Sequence, residues 1–118
     1  MNVLIVENRR ELRQVWCNHL ARQGAIVRMA SNQDQAIEAI LEQFPDIIVL
    51  NLVLEDGGAL AISDFASYRA PQAQVIFVTD TSFFSDGSIF SLSPNACAFV
   101  QTDTPPEDLA AIVEHYAS

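Results

Sequence analysis

The chain has 118 residues, half of them hydrophobic and 18% charged, with a formal net charge of −9. That length and apolar share fit one domain with a proper core and exclude a disordered chain. The acidic balance argues against a nucleic-acid backbone or an anionic membrane as direct partner, and no apolar run approaches the roughly 20 residues that a membrane helix needs.

The N-terminal segment, residues 2–6, is an apolar strand ended by Glu7-Asn8. It carries no Lys or Arg before its apolar run and is not a signal peptide, so a cytoplasmic location is expected. A helix follows from about Arg9 to Gln23, with Leu12, Val15, Trp16 and Leu20 at helical spacing on one face and the Arg residues elsewhere. Gly24 supplies its C-cap. A short second strand runs over 25–29. Ser31-Asn32-Gln33-Asp34 resembles a capping box with an acid in the last slot, and it opens a helix whose inner face is Ala36, Ile37, Ile40 and Leu41. Pro45 stops that helix.

The next stretch, Asp46-Ile47-Ile48-Val49-Leu50-Asn51-Leu52, organises the rest. A short run rich in branched residues, bounded by Pro45 before and Gly57-Gly58 after, reads as a strand buried on both faces at the centre of a parallel sheet. Whatever follows the carboxyl end of such a strand lies over the crevice where open α/β sheets bind ligands. Asn51 stands there.

The paired glycines allow a tight turn into a third helix, about 59–68, and Pro71 ends that region. Residues 74–79 form a fourth strand closing on Thr79. The stretch 80–94 is rich in Ser and Phe, with Gly87 inside it, and reads as a weak fourth helix. Its Phe83, Phe84 and Phe90 divide between core and an exposed apolar patch. Residues 96–100 are a fifth strand. Pro105-Pro106-Glu107-Asp108 opens a last helix with inner face Leu109, Ile112, Val113 and Tyr116. Strand and helix thus alternate five times. The expected fold is α/β, a doubly wound five-stranded parallel sheet with helices on both faces, as one domain over 1–118.

Charge is unevenly placed. Arg9, Arg10, Arg13, Arg22 and Arg28 precede position 29, and beyond it Arg69 is the single basic side chain against 13 acids. The chain has no Lys. Cys17 and Cys97 have no metal-like spacing and read as two reduced thiols. Trp16 reads as core and His19 as an ordinary surface or half-buried residue.

The strand ends bring together Glu7, Asn8, Asn51, Thr79 and Gln101-Thr102. This constellation resembles the receiver domain of two-component response regulators, and the likeness spans the whole chain. The run V-E-N-R-R-E-L-R stands where receivers have V-D-D-x-x-x-x-R, and F-P-D-I-I-V-L-N-L-V-L where they have x-P-D-L-V-L-L-D-L-x-L. V-I-F-V-T ends like their fourth strand and P-P-E-D-L begins like their last helix. The resemblance implies a flavodoxin-like (βα)5 fold. It also implies a pocket in which an Asp after strand three accepts a phosphoryl group. Two acids after strand one help that Asp to hold Mg²⁺, and a Thr or Ser and a Lys bind the phosphoryl oxygens. Such chemistry needs a carboxylate nucleophile, hard anionic oxygens for a small dication, and a cation for phosphoryl charge.

Laid onto this chain, that pocket is mostly dismantled. Asn51 stands at the acceptor position, and Glu7 keeps one acid while Asn8 replaces the other. Thr102 falls in the lysine slot, with Gln101 as the alternative placement. Thr79 is retained but is followed by Asp80, a carboxylate that would repel a phosphoryl group. Asn51 is expected to act as a polar plug, bonded to backbone groups or to Thr79. No cofactor is expected, with Mg²⁺ weak or absent, and no catalysis.

The expected role is a stand-alone pseudo-receiver without effector domain, a phosphorylation-independent interaction module in two-component signalling. Two surfaces are candidates. In the family, the face built from the fourth helix, fifth strand and last helix is the output and dimer surface. Here it carries Phe83, Phe84, Phe90 and Phe99 beside Asp86, Asp103, Glu107, Asp108 and Glu114. The Arg-rich first helix, with Arg9, Arg10 and Arg13, is the second, facing a histidine kinase, a phosphotransfer protein, another regulator or a second copy of the chain. Two rival readings remain: a working phosphorelay receiver with a non-standard acceptor such as Asp56 or Glu55, and a crevice that binds a small polar or cationic ligand.

Overall fold

The computed structural model describes residues 1–54, 58–80 and 94–117. The expected fourth helix, with Phe83, Phe84, Phe90 and Asp86, and the loop acids Glu55 and Asp56 lie outside the described residues. The elements in chain order are β1 (Asn2–Val6), α1 (Arg10–Arg22), β2 (Ile26–Ala30), α2 (Gln33–Glu42), β3 (Ile47–Asn51), α3 (Ala59–Arg69), β4 (Gln74–Thr79), β5 (Ala96–Gln101) and the C-terminal helix α4 (Pro106–Ala117).

The strands form one parallel sheet in the order β2-β1-β3-β4-β5. This is the flavodoxin-like order, with its switch point between β1 and β3. Every residue of β3 is buried, because helices cover both faces of the central strand. Alternation along the strands sorts the side chains. Leu4, Val6, Ile48, Leu50, Val75 and Phe77 face α2 and α3, meeting Ile40, Ile62 and Ala66. Val3, Ile5, Ile47, Val49, Ile76 and Val78 face α1 and α4, meeting Trp16, Leu20, Leu109 and Val113. Burying each large aliphatic is worth roughly 1.5–3 kcal/mol, so these two layers dominate the stabilisation.

Local signals explain where the helices begin and end. Gly24 takes the left-handed conformation (φ 92°) just after the C-cap of α1, and its N–H bonds Ala21 O at 3.0 Å. The box that opens α2 is shifted by one residue from the sequence expectation. Asn32 is the N-cap and accepts from Gln35 N at 2.9 Å, while Gln35 Oε1 accepts from Ser31 N and Oγ, each at 2.9 Å. At the other end Arg28 reaches across from β2, donating to Ala39 O at 2.6 Å and to the Glu42 carboxylate at 2.6 Å. It thereby caps a helix whose last turn holds no basic residue of its own.

Two helix faces depart from the hydrophobic pattern. Val15 is 39% exposed, because Trp16 and Leu20 set the buried stripe of α1 and turn Val15 to its rim. Leu41 is 47% exposed while Ala36, Ala39 and Ile40 are buried. Ala36, Ala39 and Ile40 set the buried stripe of α2, and Leu41 falls outside it. Among the described residues no helix is long and apolar enough to cross a membrane.

Candidate functional site at the carboxyl ends of the strands

Register alone places the site. Val6 pairs with Leu50 across β1 and β3, so the next residues, Glu7 and Asn51, stand side by side at the carboxyl edge. Asn51 pairs with Val78, which sets Thr79 one step further along β4, and Thr79 pairs with Gln101. The switch between β1 and β3 thus gathers the polar residues that the sequence singles out.

Glu7 is fully buried. A carboxylate in that position costs several kcal/mol unless charge and hydrogen bonds offset it. Its partners are close. Arg9 N donates to Oε2 at 2.9 Å and Arg9 Nη2 to Oε1 at 3.0 Å. Asn51 Nδ2 donates to the same Oε1 at 2.6 Å. Arg13 Nη1 donates to the main-chain carbonyl of Glu7 at 2.7 Å, so cations bracket both the side chain and the backbone of this residue.

Asn51 is 4% exposed and hydrogen-bonded at both ends of its amide. Its Oδ1 accepts from Val53 N at 2.8 Å, an Asx-type turn that shapes the loop leaving β3. The amide orientation is fixed from both ends, since a carboxylate oxygen requires the NH₂ side and a backbone N–H requires the oxygen side. An amide oxygen so committed has neither the charge nor the free lone pairs of a carboxylate nucleophile.

Around this pair, Thr79 is 4% exposed, and its carbonyl accepts from Thr102 N at 3.0 Å, which ties β4 to the turn after β5. Asp80 is exposed. Thr102 is half-buried, and Gln101, the alternative in the same slot, is exposed. Among the described residues the buried Asn8 Oδ1 has no hydrogen-bond partner. Glu7, Asn8, Asn51, Thr79 and Thr102 therefore cluster around the same strand ends, and Asp80 lies at the margin.

The engagement of Arg9 and Arg13 with Glu7 is what the sequence reading missed. It assigned both to a partner surface. The signal was present: a lone acid predicted at a buried strand end requires a cation, and Arg9 follows two residues later. Arg9 sits at the N-cap of α1 in an extended conformation (φ −81°, ψ 109°), which lets its N–H and its guanidinium both return to one carboxylate.

Beside the pocket an open groove of about 740 Å³ runs between the start of α1 and the turn after β5. Arg9, Arg10, Glu11, Leu12, Val15, Thr102 and Asp103 line it. The outward turn of Val15 gives it an apolar floor. Phe99, expected on the opposite face, is half-buried and stacks on Phe77 with ring centroids 5.3 Å apart. It also borders a smaller cavity with Ala98, Val100, Ile112 and Tyr116. Burial pushes the Cys97 thiol up to about 11, so it remains protonated at neutral pH.

Residues 3–114 match the model of the response regulator receiver domain family. The transcriptional regulatory protein RstA of Escherichia coli K12 is 31% identical over an alignment of 115 residues that covers 94% of this chain and 46% of that regulator. This chain therefore spans about half the length of that relative. Among solved structures, a CheY-like receiver domain protein from Methanospirillum hungatei superposes with a TM-score of 0.87 at 22% identity, covering 98% of this chain and 92% of that one. The receiver domain of NtrX from Brucella abortus gives 0.85 at 20% identity, covering 98% and 97%. The response regulator TrrA from Thermotoga maritima, solved with Mg²⁺ and BeF, gives 0.82 at 16% identity, also covering 98% and 97%.

Proposed function

The chain belongs to the response regulator receiver domain family, and from that premise we propose that it serves two-component signalling as a pseudo-receiver. Its state is not set by aspartyl phosphorylation, and its output is a protein contact. The observation that carries this reading is the Asn51 amide at the acceptor position, with Nδ2 on the Glu7 carboxylate and Oδ1 on Val53 N. Strand β3 ends on an amide and not on a carboxylate nucleophile, and the chain has no Lys to offset phosphoryl charge. The domain is not an enzyme, works in the cytoplasm and does not bind nucleic acid.

The contact surface is the groove at the start of α1. It joins an apolar floor (Leu12, Val15) to a rim of mixed charge, Arg9 and Arg10 beside Glu11 and Asp103, which suits an amphipathic helix carrying both signs of charge on a histidine kinase, phosphotransfer protein or second regulator. A homodimer through the face around Phe99, Ile112 and Tyr116 is the other assembly consistent with the family. A small polar or cationic ligand in the crevice is a second reading, drawn from the unpartnered Asn8 Oδ1. Crystals soaked with small amines would show density against that atom if it holds.

The test treats the protein with a small-molecule phosphodonor and Mg²⁺, followed by intact-mass measurement. No phosphoryl adduct is expected. A stoichiometric adduct stable to acid and labile to hydroxylamine would overturn the reading. For the contact, Arg10→Glu should weaken binding to the cognate kinase or phosphotransfer domain, and unchanged binding would remove the groove from the account. Arg10 suits this test because Arg9 and Arg13 are also bonded to Glu7.

A further inference from the structure

The family implies a divalent metal at the strand ends, and the donor set can be tested for it. A small hard dication needs several anionic oxygens turned toward one point. Among the described residues Glu7 is the one buried carboxylate at these strand ends, and both its oxygens already accept hydrogen bonds. Glu7 Oε1 accepts from Asn51 Nδ2 and Arg9 Nη2, and Oε2 accepts from Arg9 N. Asn51 presents N–H hydrogens toward Glu7, and its oxygen is turned to Val53 N. Among the described residues, Asn8 Oδ1 is the one buried side-chain oxygen at the site without a hydrogen-bond partner. The Glu7 charge is balanced by the Arg9 guanidinium 3.0 Å away. Among the described residues a dication would meet a neutral ion pair and the N–H groups of Asn51 and Arg9, with Asn8 Oδ1 as one spare neutral oxygen, so these residues do not fit it.

We propose that the Arg9 guanidinium is a built-in cation that takes over the charge-balancing role of the family's metal. The pocket is closed to Mg²⁺ by a residue of the chain itself. Glu7 is then retained as the counter-ion that anchors Arg9, and with it the start of α1, to the end of β1. The position matters for the groove as well. The Arg9 side chain is 47% exposed on its outer side and lines the groove, so one guanidinium joins the plugged pocket to the proposed contact surface. A mobile metal would make that link depend on solution conditions. A tethered cation makes it permanent, which suits a module with one fixed state.

The inference deepens the pseudo-receiver reading, but its test uses no phosphodonor, so either can fail alone. The probes are MnCl₂, read by paramagnetic broadening of amide NMR signals, and MgCl₂, read by their shifts. The proteins are the whole chain as wild type, Arg9→Lys, Arg9→Gln, Arg9→Ala and the double variant Arg9→Ala/Arg13→Ala. Arg9→Gln keeps hydrogen-bonding bulk if the alanine variant folds poorly, and the double variant removes the second nearby cation. Wild type and Arg9→Lys, which keep the charge, should show no saturable broadening around Glu7, Asn8 and Asn51. A variant lacking the charge should acquire a saturable site there, at least about tenfold tighter than any wild-type binding. Equal binding by wild type and charge-less variants would overturn the proposal. So would the absence of a site in every charge-less variant, since the lost carboxylates alone would then explain the closure.

Discussion

The substitution Asn51→Asp restores the side chain that a phosphoacceptor needs, and by the geometry here it should weaken the fold. The Asn51 amide lies 2.6 Å from Glu7 Oε1, with Asn51 4% exposed and Glu7 fully buried. The introduced carboxylate would face another carboxylate, with Arg9 able to offset one of the two. At about 4 Å and an effective dielectric of about 20 the repulsion is roughly 4 kcal/mol. The pair can escape by taking up a proton. From an ordinary carboxyl pKa near 4, holding that proton at pH 7 costs about 1.4 kcal/mol per unit, again roughly 4 kcal/mol. The two routes agree, so a loss of about 3–4 kcal/mol is expected at pH 7. The sign of the pH dependence follows. The introduced group has a folded pKa raised above its unfolded value, so stability is retained at low pH and lost as pH rises. By pH 5 the deficit should shrink to roughly 1–2 kcal/mol. Urea unfolding followed by the fluorescence of buried Trp16, at both pH values, reads this directly. A variant as stable as wild type at pH 7, or a deficit that does not change with pH, would refute the contact between these side chains.

Other perturbations probe the frame around the site. Arg28→Ala removes the donors to Ala39 O and Glu42 and should cost about 1 kcal/mol, visible as a lower Tm. Leu20→Ala opens a cavity under α1 at a fully buried position and should cost roughly 2–5 kcal/mol in the same urea assay. The Cys97 thiol, pushed up to about 11 by burial, should react with iodoacetamide much more slowly in the folded protein than in urea at pH 8. Its folded pKa is raised, so its contribution to stability is present below the unfolded thiol pKa and fades as pH climbs toward 11. Equal native and denatured labelling rates would contradict its burial.

Much of the fold was legible because its signals are local. Continuous branched runs gave β1, β3 and β4 within a residue of their observed ends, since strands buried on both faces tolerate little else. The opening of α2 was misplaced by one residue. Ser31 and Asn32 are both good caps, and Gln35, which decides between them, was not weighed. Val15 and Leu41 look apolar enough for the core, but Trp16 and Ala39 fix the rotation of their helices through size, which periodicity alone does not rank.

At the site, composition placed the residues but not their bonds. That Glu7 and Asn51 share an edge follows from strand order. That Asn51 donates to Glu7 follows from the Val53 N–H claiming its oxygen, which depends on the path of the loop after β3. Arg9 and Arg13 read as surface because an Arg run on a helix is usually solvated. Only the extended N-cap backbone of Arg9 turns it back to the acid.

On the proposed reading the strand-end pocket is held by its own side chains and does not switch. An amide NMR spectrum of the domain, titrated with Mg²⁺ and then with beryllofluoride as a mimic of the aspartyl phosphate, tests it most directly. The account predicts that the signals of Glu7, Asn8, Asn51 and Thr79 stay where they are through both additions. Saturable shifts at these residues on beryllofluoride addition would contradict it and make the chain a regulated switch.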